Sequence, residues 1–198
     1  HAAYCVTNYW EHFSPAREIA QAGAMARAAR AAGLRHVIWS TLEDTRQLVP
    51  VEDPRMPTLQ ERYKVPHFDA KGEADALFRD AGVPTTFLLT SFYWENLVQR
   101  GMGPTPGPDG GLAITFPLGD RRLPGIATED IGRCALGILA RGDAMIGRRI
   151  GVAGGQPTGA QIAASVARAP RRPGRHPGVP PAGAPILARP SGGAAPRA

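Results

Sequence analysis

Apolar and polar positions fall in blocks along this chain, and the period of the blocks changes from strand-like to helix-like and back. "AAYCVT" (2–7) is a short apolar run that reads as the end of a buried strand. "SPAREIAQAGAMARAARAAG" (14–33) is punctuated as a helix, with Ser14 as cap, Pro15 in the first turn and Gly33 past the end. Its many alanines predict close packing on a sheet. "RHVIWST" (35–41) is a near-continuous apolar run, the pattern of a parallel strand covered on both faces. A polar, proline-punctuated loop (41–57) follows. A second helix begins within "YKVPHFDAKGEADALF" (63–78) and runs to about Ala81, with Gly82 beyond it. "PTTFLLT" (84–90) is the next buried strand, and "SFYWENLVQ" (91–99) reads as an aromatic helical segment.

Beyond that, "GMGPTPGPDGG" (101–111) is rich in turn formers and "LAITF" (112–116) is a strand. "ATEDIGRCALGILAR" (127–141) is a helix with Thr128 as cap and two acids in its first turn, where the helix dipole favours them. "RRIGVAG" (148–154) is a short strand, and "TGAQIAASVARA" (158–169) starts a helix that Pro170 breaks. Strands alternating with helices of this length predict an α/β fold with a mainly parallel sheet. Such sheets take ligands at the carboxyl ends of their strands. Attention therefore falls on the residues after "AAYCV", "HVIWS" and "FLLT".

From Pro170 the texture changes to Pro, Gly, Ala and Arg without a period, which predicts a disordered tail (170–198) behind a folded domain (1–169). The change is abrupt and interrupts an amphipathic helix. It reads as a shifted or mis-ended reading frame in a GC-rich gene, with a functional basic arm as the alternative.

Composition narrows the classes. A chain of 198 residues with 43% hydrophobic content holds one domain with a sizeable core. No apolar run approaches the ~20 residues that span a bilayer. The net charge of +6 suggests nucleic acid, but six arginines lie at or beyond Arg168 with no acid among them. Of the 23 basic residues that leaves 17 against 17 acidic ones, so the excess belongs to the tail and no direct nucleic-acid binding is expected. Cys5 and Cys134 are far apart and form no CxxC pair, which gives neither a disulfide framework nor a zinc site. They read as buried thiols of a cytoplasmic protein.

The candidate chemistry sits after the three strands. Thr7 and Asn8 offer short polar groups to a ligand, and Tyr9 and Trp10 could lie beside a ring; ordinary turn chemistry is the alternative. Ser40 places a hydroxyl at a strand end, a position also common for caps. "SFYWENL" could line a ring pocket or fill the core. His67 and Lys71 are four apart and share one helix face, as an acid/base pair or as a plain polar face. No acid/histidine/cysteine cluster surrounds His67, so no metal site is read there. No P-loop, GxSxG elbow or HExxH occurs.

Four segments in this order, "VTNYWEH", "HVIWSTLEDT", "VPHFDAKGEADALFRDAGVPTTFLLTSFYWENL" and "ATEDIGRCALGIL", resemble the NmrA-like family over residues 1–168. These are atypical members of the short-chain dehydrogenase/reductase superfamily with an NAD(P)-binding Rossmann domain. The resemblance implies a Rossmann-type, mainly parallel sheet flanked by helices. It implies a dinucleotide cofactor, NADP or NAD, with NADP favoured. The family's glycine-rich GxxGxxG turn has no counterpart here, so the chain is expected to lack the first βαβ portion. By position, Thr7, Asn8 and Tyr9 match the segment beside the cofactor, and Lys71 the lysine near the nicotinamide ribose. Tyr93, Trp94, Glu95 and Asn96 match the segment that closes over the nicotinamide end. A further cofactor-contacting lysine of the family is Ala20 here. The superfamily's Tyr-x-x-x-Lys becomes His67-x-x-x-Lys71, which leaves His67 a weak catalytic candidate. The implied roles are a redox sensor that reads the dinucleotide and regulates a protein partner, or an NAD(P)H-dependent reductase of quinones and related carbonyls. A fragment without function is the third reading.

Overall fold

In the computed structural model, residues 1–99, 101–107, 112–168 and 186–190 are described. The chain divides into two compact units, one built from residues 1–91 and 129–152 and the other from the described residues of 92–128 and 153–198.

The first unit follows the predicted alternation. β1 (Ala2–Cys5), α1 (Pro15–Ala31), β2 (His36–Thr41), α2 (Pro66–Asp80) and β3 (Thr85–Leu89) succeed one another along the chain. α1 starts as the sequence dictates: Ser14 Oγ accepts from the Arg17 N–H at 3.3 Å, and Pro15 fills the first turn. Gly33 and Gly82, just past the two helices, take the left-handed conformation that lets each chain turn back into a strand.

β2 and β3 are buried along their whole length, as strands covered on both faces must be. The alanines of α1 do what their abundance predicted. Ala22, Ala26 and Ala29 bring the helix against Val37, Trp39, Ala74, Phe78 and Phe87 in one cluster. Within it the Trp39 and Phe78 rings stack with centroids 4.9 Å apart. Trp39 also has a polar tether, since its indole N–H donates to Asp75 Oδ1 at 3.0 Å. The loop between β2 and α2 is shaped by two charges. Asp69, fully buried, accepts from Thr45 N–H and hydroxyl and from the Lys64 and Val65 N–H groups. Lys64 donates to the Asp53 and Met56 carbonyls, both at 2.7 Å, and to Thr58 Oγ1 at 3.0 Å.

The second unit begins with a departure. Residues 91–99 do not form one helix: β4 (Phe92–Tyr93) comes first, and α3 (Asn96–Gln99) is a single turn. Aromatic residues favour an extended backbone, and β4 pairs in parallel with the later β7 (Gly125–Ile126). β5 (Thr105–Pro106) lies antiparallel to β6 (Leu112–Phe116). Residues 108–111 of the turn-rich stretch lie outside the described residues.

α4 (Thr128–Ala140) starts at Thr128, whose N–H and hydroxyl both donate to Glu95 Oε1 at 2.9 Å. The expected cap is therefore itself held by a carboxylate. β8 (Arg149–Gly151) pairs with β3 and completes the parallel sheet of the first unit, in the order β1-β2-β3-β8. α5 (Gly159–Arg168) packs Ile162 against Ile114 and Phe116 in the second unit.

Within the stretch expected to lack structure, Ile186–Pro190 form β9, parallel to β6. Ile186 and Leu187 are the large aliphatic residues of that stretch after Val179. The break at Pro170 and the remainder of the tail lie outside the described residues. Both cysteines are half-buried rather than buried. No described helix is long and apolar enough to cross a membrane.

Candidate functional site

The carboxyl end of β1 is where two of the sequence candidates, Thr7 and Lys71, meet. Thr7 lies two residues past the strand and is 7% exposed. α2 brings Lys71 to it because Ala70, Lys71, Ala74, Asp75 and Phe78 form the buried face of that helix. Lys71 Nζ donates to Thr7 Oγ1 at 2.7 Å and to the Thr7 carbonyl at 3.2 Å. Its third acceptor is Glu18 on α1, with Oε1 at 2.8 Å. The Thr7 hydroxyl donates to that same Glu18 oxygen. All three ammonium hydrogens thus have protein acceptors. Nζ also sits over the Trp39 ring, 5.0 Å from its centroid, where the ring quadrupole favours a cation.

Burial pushes the Lys71 ammonium below the ordinary lysine pKa, and the bond to Glu18 opposes that shift. His67, one turn earlier, is also pushed down, first by burial and then by the Lys71 charge. Both causes favour the neutral imidazole. The ring lies 4.9 Å from Trp10 and 5.6 Å from Tyr9, centroid to centroid. Behind Glu18, His12 Nδ1 accepts from the Ser14 N–H at 3.1 Å. Its other ring nitrogen, Nε2, faces Glu18 Oε2 at 3.6 Å.

The other candidates are placed differently. Asn8 Nδ2 donates to Glu11 Oε1 at 2.9 Å, across the short 3₁₀ turn Tyr9–Glu11. Tyr9 is a core ring, buried, with its hydroxyl on the Phe13 carbonyl at 3.2 Å. Trp10 is half exposed, and Ser40 is buried in β2. Val6, Thr7, Asn8, Glu11, Gln21 and Met25 line an open depression of about 410 Å³ beside the end of β1.

Tyr93 through Asn96 belong to the second unit. There the Trp94 ring lies where a side chain at Gly125 would stand, so only glycine fits opposite it. Glu95 spends one oxygen on Thr128, and those donors hold its carboxyl below the usual range. Among the described residues, no group of three or more His, Cys, Asp or Glu could hold a metal ion.

Glu18 is the residue that the sequence candidates omitted. A signal was present: Glu18 shares the inward face of α1 with Ala22, Ala26 and Ala29, and an acid on an alanine face requires a partner.

The sequence profile of the NmrA-like family matches residues 1–182, continuing past Pro170. Among solved structures, the chain is similar to NmrA, a negative transcriptional regulator, in complex with NADP. The two are 27% identical, with a TM-score of 0.69, covering 85% of this chain and 49% of that one. NmrA in complex with NAD matches with the same figures. The Citrobacter sp. triphenylmethane reductase complexed with NADP(H) shares the fold, at 15% identity, a TM-score of 0.64 and coverage of 96% and 55%. The chain therefore spans about half the length of the solved structures it matches. With a parallel sheet flanked by helices and a family match over most of its length, this chain belongs to the NmrA-like family, atypical members of the short-chain dehydrogenase/reductase superfamily.

Proposed function

We propose that this chain is the part of an NmrA-like dinucleotide sensor that holds the ribose–nicotinamide end of NADP or NAD, and that the protein regulates a partner according to the dinucleotide it carries. The observation that carries this reading is the buried Lys71 ammonium, fixed at the carboxyl end of β1 by Thr7 and Glu18. A strand's carboxyl end in an open parallel sheet is where such ligands sit. The 27%-identical NmrA structures, solved with NADP and with NAD, support the same ligand class.

The residues present fit that half of a dinucleotide. Lys71 supplies a cation for ribose hydroxyls, and its longest hydrogen bond, to the Thr7 carbonyl at 3.2 Å, is the one most readily exchanged for a ligand oxygen. Thr7 also lines the depression beside β1. No glycine-rich turn for the pyrophosphate occurs in the chain. When bound, the nicotinamide is the part that gives or takes a hydride. This chain's own contribution is to bind and orient.

The second reading, an NAD(P)H-dependent reductase of quinones or related carbonyls, draws on His67. It stands four residues before Lys71, favoured in its neutral form and beside the half-exposed Trp10 ring, so it could donate or accept a proton near neutral pH. The sensor reading is preferred because the phenol of Tyr-x-x-x-Lys is absent. Titrating NADPH and NADH into the protein, followed by cofactor fluorescence, tests both. Binding without NADPH consumption across a panel of quinones supports the sensor. Consumption that His67→Phe abolishes supports the reductase, and no binding overturns both.

A further inference from the structure

We propose that Glu18 is the positioning residue for Lys71: its buried carboxylate holds the ammonium against Thr7 and keeps it charged at the carboxyl end of β1. The proposal rests on the dinucleotide reading above and extends it to the fully buried Glu18.

Three observations carry it. Glu18 is fully buried on a helix face otherwise made of alanine, proline and glycine. An ionised group there persists only with a partner, and Lys71 at 2.8 Å is that partner. Thr7 bridges the two, accepting from Lys71 and donating to Glu18, so the carboxylate sets the position of both groups. The chain also has only two lysines among its 23 basic residues, Lys64 and Lys71, and both are buried. Lys64 is held by carbonyls and a hydroxyl, whereas Lys71 alone has a carboxylate.

The titratable groups around Lys71 are few. Glu18 faces it from α1, with His12 behind, and Tyr9 lies in the segment after β1. On α2 itself stand His67, Asp69 and Asp75. From β2 come the Trp39 ring and the Thr41 hydroxyl, which do not titrate here. Asp69 and Asp75 spend their oxygens on other donors. Glu18 is therefore the carboxylate that offsets the cost of burying the Lys71 charge. Without it, burial and any charge on His67 would both favour the neutral amine.

With only two lysines, a protein labelled with ¹³C at lysine Cε gives two signals, assigned with Lys71→Arg. Their pH titration reads the Lys71 charge without any ligand. In Glu18→Gln the Lys71 signal is expected to titrate at least about one pH unit lower than in the parent, a tenfold change in its protonation constant. NADPH affinity in that variant is expected to fall as pH rises, beginning about one pH unit below any fall seen in the parent. Adding Lys71→Arg, whose guanidinium keeps its charge, is expected to remove the pH dependence.

An unchanged Lys71 titration in Glu18→Gln overturns the proposal. A lowered titration in a protein that binds no NADPH in any form supports the hold on Lys71 and overturns the dinucleotide reading instead. Glu18→Asp covers the case in which Glu18→Gln does not fold. It keeps the charge but shortens the reach, so it is expected to weaken NADPH binding equally at pH 7 and 9. Unaltered binding in Glu18→Asp overturns the positioning role.

Discussion

Lys71 and Thr7, 64 residues apart in the chain, are joined by a 2.7 Å hydrogen bond at the end of β1, and the bond makes a turn residue part of the same unit as a helix core residue. Removing the cation leaves Glu18 buried without its charge partner. Lys71→Met is therefore expected to lower stability by about 3–5 kcal/mol, the usual cost of orphaning one member of a buried pair. Lys71→Met combined with Glu18→Gln is expected to recover a large part of that loss. Urea unfolding of the two variants and the parent measures it; a double variant no more stable than Lys71→Met alone would contradict the pairing.

Glycines in two helices are expected to respond with opposite signs. A Cβ at Gly72 would stand 2.7 Å from the Asp44 N and 2.9 Å from its Cβ, so the loop after β2 must move. Gly72→Ala is expected to destabilise by about 1–3 kcal/mol, overpacking outweighing the helix propensity gained. Gly132 and Gly137 lie on the exposed side of α4 with nothing within 4 Å of an added Cβ. Gly132→Ala and Gly137→Ala are each expected to stabilise by about 0.5–1 kcal/mol. Thermal unfolding of the three variants checks both signs.

Asp75 gathers three donors: the Trp39 indole N–H at 3.0 Å, the Thr41 hydroxyl at 2.6 Å and Arg149. Asp75→Ala leaves the buried Trp39 indole N–H without its acceptor, whereas the Thr41 hydroxyl can turn to the Lys71 carbonyl at 3.1 Å. It is expected to cost about 1–3 kcal/mol, the usual cost of one orphaned buried group. The near-ultraviolet signal of Trp39 and the denaturant midpoint should both move.

His67 and His36 set a pH dependence of stability. Burial holds both below the ordinary histidine value of 6.5. In that window the unfolded chain binds more protons than the folded one, so stability rises with pH. It is complete above about 6.5 and is lost as pH falls through that value toward the folded pKa. Unfolding free energy measured at pH 7 and pH 5 should fall on acidification, and His67→Gln should flatten the fall. An unchanged slope in His67→Gln would place the effect elsewhere.

The first unit was legible where local signals agreed with the global fold. Ser14, Pro15 and Gly33 bounded α1 correctly because capping and left-handed turns are local chemistry. The uninterrupted apolar runs at β2 and β3 could be satisfied only by a sheet covered on both sides. Glu18 was missed because its partner is 53 positions away on another helix, and sequence spacing carries no trace of that. The packing of Tyr9 was hidden for a related reason: the position of a ring after a strand does not show that it is buried, as it is here beside Phe13 and His67. "SFYWENLVQ" failed as a helix because β7, its pairing partner, lies far along the chain. Thr128 starts α4 where local signals put the helix start, but its bonds to Glu95, 33 residues earlier, leave no mark in the local spacing.

The most direct test of the dinucleotide reading is a fluorescence titration of NADPH into the parent protein and into Lys71→Arg, with folding verified by circular dichroism. Lys71→Arg keeps the charge but not the compact three-donor geometry that Thr7 and Glu18 grip. The account predicts saturable binding by the parent and affinity weakened about tenfold or more in Lys71→Arg. Equal affinity in the two proteins, or no binding by the parent, would contradict it.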